Sequence, residues 1–283
     1  MNRTLIQNYG PLFSAFPSLN DLLWISEQAF IKTRDLVGQS PQDWQNPPAK
    51  LLQLLMYQGL NTSYSIRLLT TFAQPLEAYA LLRMRLEQVI VMSYLVNVEK
   101  EKGFDLFFAD VGRIDYRSAR SLDKDPELKK IVEIFLGDRF QQAQKAAEKV
   151  EKEIDPSFDI SSGKLKRKWT DLSTYDLAKR RDALIKNNDP IQSTKLVWFY
   201  ISLYKPSSIL LHGDTGSVTN NFLSAAPNKD IGPQLAYVFL NIIQNAQLDL
   251  LQCYEAVRYF KKPGIEKLTE LHKEFKELLL KQV

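Results

Sequence analysis

Cysteine and histidine are nearly missing from this 283-residue chain: Cys253 stands alone, and His212 and His272 are its only imidazoles. One thiol cannot close an internal disulfide, and two histidines are too few for a multi-histidine metal site, so no metal centre is expected. Long apolar runs are lacking as well. The stretch from Val89 to Val98 is interrupted by polar residues well short of the roughly 20 that span a bilayer. Met1 to Phe16 has one basic residue and no apolar run of the signal-peptide kind. A cytoplasmic protein with no membrane partner is therefore expected. An excess of either charge is lacking too, with 37 Lys and Arg against 33 Asp and Glu. A formal net charge of +4 is too small to declare a nucleic-acid partner and does not exclude one. No Gly-Lys-Ser/Thr follows His212-Gly213-Asp214-Thr215-Gly216-Ser217, so this loop does not read as a phosphate cradle. No cofactor fingerprint and no nucleophile elbow can be assembled either.

What is present is the composition of an ordinary globular protein, 45% hydrophobic and 25% charged. Apolar residues recur at helical rather than alternating spacing along most of the chain, and no hairpin signal is found. Ser18 or Asn20 is expected to cap a first helix that Gly38 stops. Pro47 and Pro48 open a second, and Pro75 a third that runs to about Glu101 before Gly103. Pro126 opens a helix through about Lys152 whose later part is rich in Lys, Glu, Ala and Gln. Further helices are predicted over 171–186, 190–211 and 232–260, with an amphipathic one after Pro263 and Gly264. The fold class is all-α, a multi-helix bundle. Three regions are expected: an N-terminal helical part (1–74), a helical core (75–225) with a charged hairpin and linker near 141–170, and a C-terminal helical hairpin (226–283).

Two polar interruptions of apolar helices stand out. Arg83, Arg85 and Glu87 lie inside Leu81–Ile90, and Arg83 and Glu87, four apart, share a helix face. Tyr204, Ser208 and His212 follow one another at steps of four, a polar stripe ending at Gly213, with Pro206 placed to kink it. Histidine at that terminus can move a proton near neutrality. The competing reading makes Arg83–Glu87 a surface ion pair and His212 a residue that caps a terminal carbonyl. Lys164, Lys166, Arg167 and Lys168 beside Trp169 could grip phosphates while the indole stacks on a base, or could be a solvated basic linker. Lys179, Arg180 and Arg181 extend that basic region. Cys253, inside an apolar helix, is expected to pack as a small hydrophobe.

Taken in order, Leu82-Arg83 with Glu87, Lys168-Trp169-Thr170-Asp171-Leu172-Ser173 with Leu177-Ala178, and Tyr204, Ser208, His212-Gly213 resemble a bacterial helical family catalogued as a domain of unknown function. That family looks distantly like the HEPN group of small helical RNases and defence proteins. The resemblance spans about Leu76 to Ser217. It implies a HEPN-like core with additional N- and C-terminal helices, in which the arginine–glutamate and serine–histidine helices approach each other. It also implies metal-independent RNA cleavage at a dimer interface, with RNA, a second copy or a partner protein of a defence system as partners. The HEPN group's arginine, four to six residues before the histidine, has no counterpart here, since Lys205 is the nearest basic residue before His212. Arg83 or Arg85 would have to supply it.

Two functions follow as expectations. In the first, His212 is the general acid/base, Arg83 or Arg85 stabilises the phosphate, and Ser208, Tyr204 and Glu87 orient them. In the second, the protein is a non-catalytic interaction module and the Arg–Glu–Ser–His cluster is structural. A small-molecule pocket lined by Trp198, Tyr200 and Tyr204 is a third reading.

Overall fold

A computed structural model describes residues 17–38, 47–71, 74–99, 124–137, 172–185, 189–204 and 232–280, with single positions 103, 104, 107, 122, 141, 142, 145, 170 and 207. Eight α-helices and no strand occur among the described residues. They are α1 (Pro17–Gly38), α2 (Pro47–Thr71), α3 (Pro75–Tyr94), α4 (Pro126–Leu136), α5 (Thr174–Leu184), α6 (Leu196–Phe199), α7 (Gly232–Tyr259) and α8 (Ile265–Leu280). Wider π-type turns extend α3 over Leu95–Glu99 and α6 over Tyr200–Tyr204. Among the described residues no helix is long and apolar enough to cross a membrane. The chain forms two compact units, one from Met1–Val98 with Ser173–Val283 and the other from Glu99–Leu172.

Proline sets several starts. Pro17, Pro47, Pro75 and Pro126 each occupy a first helical turn, where the missing N–H would have had no partner. Ser18 and Asn20, expected to cap α1, therefore lie inside it. The helix expected from Pro126 to about Lys152 ends sooner, at Leu136. Gly137 turns the chain with φ +49°, and its N–H bonds to the Glu133 carbonyl. A capping box opens α5: Ser173 Oγ accepts from the Asp176 N–H, and the Asp176 carboxylate accepts from the Ser173 N–H. The helix expected from Pro190 starts only at Leu196. Asp189 holds the intervening turn by accepting from the N–H groups of Ile191 and Gln192. The Asp182 carboxylate then caps α6, accepting from Leu196 N at 3.1 Å and Val197 N at 2.9 Å.

The first unit is organised around α7, which packs against α1, α2, α3 and α8. Every residue from Leu248 to Val257 in it is buried. A helix enclosed on all sides is normally apolar all round. This one carries Asp249, Gln252 and Glu255 into the interior, and the two carboxylates decide where the arginines of neighbouring helices go.

Candidate functional site

Residues two apart on a helix point about 200° from one another, and Arg83 and Arg85 follow that rule to opposite sides of α3. Arg85 enters the core, 1% exposed. Its Nη2 donates to Asp249 Oδ1 at 3.0 Å. Asp249 Oδ2 accepts from Ser26 Oγ at 2.9 Å and Ser63 Oγ at 2.7 Å, and Asn245 Nδ2 donates to Ser63 Oγ at 3.0 Å. One carboxylate thus ties α1, α2 and α3 to α7. Burial pushes the Arg85 guanidinium below its ordinary range, and the charge and hydrogen bond of Asp249 pull it back up. Its Nε and Nη1 have no hydrogen-bond partner among the described residues. The arginine also explains a glycine on α2. A Cβ at Gly59 would overlap Arg85 Nη1 and lie 2.5 Å from Gln252 Oε1.

A second buried network sits about 9 Å further along α7. Arg181 is fully buried, which removes it from the basic surface expected with Lys179 and Arg180; those two are exposed. It donates from Nε to Ser93 Oγ at 2.9 Å, from Nη2 to Glu255 Oε1 at 3.1 Å, and from Nη1 to the Thr194 carbonyl at 2.7 Å and Asp182 Oδ1 at 3.1 Å. Ser93 Oγ and Asn97 Nδ2 also donate to Glu255 Oε1. The π turn after α3 carries Asn97, so the local widening of the helix coincides with a side chain reaching this network.

Arg83 faces the surface. Its Nη2 donates to the Tyr204 hydroxyl at 3.0 Å and lies 3.7 Å from Glu87 Oε1. The guanidinium carbon is 4.5 Å from the centre of the Tyr204 ring. Tyr204 in turn stacks on Tyr200, with centroids 4.4 Å apart and planes 15° from parallel, and Tyr175 tilts against Tyr200 at 5.4 Å. Partial burial raises Tyr204 above the ordinary phenol range, with the Glu87 carboxylate adding to it, and burial likewise raises Tyr200. Both phenols stay protonated near neutrality, as hydrogen-bonding groups rather than bases.

The predicted cluster is therefore divided. Arg83, Glu87 and Tyr204 come together; Arg85 does not join them, because its place on the helix and the carboxylate of Asp249 direct it inward. Ser208 and His212 lie outside the described residues, as do Lys164, Lys166, Arg167, Lys168 and Trp169. Of the aromatic residues considered for a small-molecule pocket, Tyr200 and Tyr204 stack, while Trp198 is 58% exposed with its ring edge-on to Phe199. The remaining histidine, His272, is buried on α8 beside Phe275, and burial lowers it to about 4. Cys253 is buried and its thiol is pushed up to about 12 by desolvation, which keeps it from acting as a nucleophile near neutrality.

Sequence reasoning missed Tyr175 and both carboxylates; it named Tyr200 only for a small-molecule pocket, and Arg181 only as part of a basic region. A signal existed for the carboxylates. Asp249 and Glu255 interrupt an apolar helix just as Arg85 interrupts α3, and a charge carried into an apolar face calls for a partner of opposite sign.

The chain belongs to a family of unknown function, DUF5677, whose model matches residues 49–231. The match covers α2, α3, α4, α5 and α6, and so includes the whole of the Arg83–tyrosine arrangement. Neither the curated proteins nor the solved structures contain a match to the chain.

Proposed function

We propose that this member of the DUF5677 family is a HEPN-like helical protein of a bacterial stress or phage-defence system that binds single-stranded RNA. The observation that carries the reading is the ladder Arg83–Tyr204–Tyr200–Tyr175. Unpaired bases are held by stacking on aromatic faces and guanidinium planes, and phosphates by arginine. Here a guanidinium and three phenol rings succeed one another at stacking separations on partly exposed surface. Glu87 and the Tyr204 hydroxyl hold Arg83 in place, which lowers the ordering cost of a ligand contact. Lys179 and Arg180, exposed on the helix that carries Tyr175, add positive charge for the backbone.

Cleavage would belong to His212 as general acid/base, with Arg83 stabilising the phosphate; Arg85, paired to Asp249 in the core, is not available for that role. The binding reading is tested by fluorescence anisotropy with a labelled single-stranded oligoribonucleotide, comparing wild type with Tyr200→Ala and Arg83→Ala. Absence of binding by the wild-type protein, or equal affinity in all three, refutes it. Cleavage is tested with tRNA and single-stranded RNA in the absence of metal. Turnover that persists unchanged in His212→Ala removes His212 from the reaction.

A second reading is a non-catalytic interaction module whose polar residues are structural. The two buried networks around Asp249 and Glu255 favour it, since they assign Arg85 and Arg181 to holding helices together. On this reading RNA affinity is absent, and substitutions at Arg83 change neither binding nor cleavage.

A further inference from the structure

Tyr175 and Asp182 stand about two full turns apart on α5, so they project from one face of it. Tyr175 tilts against Tyr200, with centroids 5.4 Å apart. The Asp182 carboxylate reaches the start of α6, where Oδ1 accepts from the Leu196 N–H at 3.1 Å and Oδ2 from the Val197 N–H at 2.9 Å. One face of α5 therefore carries a ring of the ladder and also holds the element that carries the next two rings.

That element has little of its own to keep it in place. α6 runs for four residues before its π turn begins, too short to be a stable helix by itself. Its own flanking residue, Lys195, makes no side-chain capping bond. The missing support comes from α5. Besides the Asp182 carboxylate, Arg181 Nη1 donates to the Thr194 carbonyl at 2.7 Å, and Lys195 Nζ donates to the Asp182 carbonyl at 3.4 Å. Each residue from Thr194 to Val197 is thus tied to Arg181 or Asp182. Arg181 is itself fixed by Ser93 and Glu255, which anchors this docking point in the core.

The π turn has separate ties to α3. The Tyr79 hydroxyl donates to the Ser202 carbonyl at 3.4 Å, and Arg83 to the Tyr204 hydroxyl at 3.0 Å. Those bonds hold Tyr204 against α3 but do not fix α5, which carries Tyr175. The carboxylate of Asp182 does. Its side chain is only 9% exposed and lies 3.1 Å from Arg181 Nη1, so it neither meets a ligand on the surface nor presents an unpaired charge to one.

We infer that Asp182 is a positioning residue of the stacking surface: by capping α6 from α5 it sets Tyr175 against Tyr200. The inference rests on the RNA-binding reading, and in it Asp182 touches no RNA. Anisotropy with a labelled single-stranded oligoribonucleotide compares the full chain with Tyr175→Ala, Asp182→Ala and the double variant. Tyr175→Ala should bind at least about fivefold more weakly. Asp182→Ala should lose the same factor, and the double variant should be no weaker than either single one, because both changes remove one contact. Asp182→Asn keeps an acceptor of equal capping rank and should bind within about threefold of wild type. Without RNA, the near-ultraviolet circular dichroism of Asp182→Ala should change in the same sense as that of Tyr175→Ala, while the far-ultraviolet spectrum stays as in wild type. Should the alanine variant not fold, Asp182→Thr, a weaker cap, takes its place in the same comparison. Wild-type protein that binds no RNA overturns the binding reading and this inference with it. Binding that weakens in Tyr200→Ala but not in Tyr175→Ala or Asp182→Ala overturns the inference alone. Additive losses in the double variant, or an asparagine variant as weak as alanine, do the same.

Discussion

Replacing Asp249 by alanine tests the physical basis of the core. The substitution leaves the Arg85 guanidinium buried, 1% exposed, with the carboxylate it pairs with gone. Removing one member of a buried ion pair costs about 3–5 kcal/mol, mostly as the penalty of an uncompensated charge. Ser26 and Ser63 lose their acceptor as well, and orphaned buried hydroxyls add roughly 1 kcal/mol each. The ion-pair loss of about 3–5 kcal/mol alone corresponds to a fall in Tm of about 6–20 °C for a domain of this size. Urea denaturation followed by circular dichroism measures it. The double variant Arg85→Met/Asp249→Leu removes both charges and keeps most of the volume, so it should recover at least half of the loss. The reasoning fails if Asp249→Ala costs under about 1 kcal/mol, or if the double variant loses as much as the two single variants added together.

Gly59→Ala should destabilise by about 1–3 kcal/mol in the same assay, although alanine favours helix by about 1 kcal/mol, because the new methyl group displaces Arg85 and Gln252. His272 has a folded-state pKa of about 4 against an ordinary 6.5, lowered by burial first and by Lys276 next, with Asp189 opposing. The stability of the neutral imidazole is therefore complete above pH 6.5 and lost as pH falls towards 4. His272→Leu removes that loss, so its stability advantage over wild type should widen across this window in urea titrations; a constant difference refutes the assignment.

How much could be read from the sequence follows from which signals are local. Helix starts at Pro47, Pro75 and Pro126 and the stop at Gly38 depend on a few neighbouring backbone groups, and they stand where the residues place them. The end of α4 at Gly137 is local in the same way, although the helix was expected to run on to about Lys152. The late start of α6 was not locally legible, because the cap comes from Asp182, fourteen residues before Leu196. The same division holds at the site. Arg83 and Glu87 share a face by helix geometry alone, and their meeting with Tyr204 was what the family resemblance implied. That Arg85 turns inward depended on a partner 164 residues away, which became foreseeable only once Asp249 and Glu255 were weighed as charges inside an apolar helix. The stack of Tyr200 on Tyr204 had the four-residue spacing of one helix face, while Tyr175 came from another helix.

The most direct test of the central claim is the affinity of the intact chain for a short fluorescein-labelled single-stranded RNA, measured with and without Tyr200→Ala. Base–aromatic stacking contributes about 1–3 kcal/mol per base, so the variant should bind about 5- to 150-fold more weakly with an unchanged melting temperature. Wild-type protein that does not bind RNA, or a Tyr200→Ala variant that binds as tightly as wild type, would contradict the account.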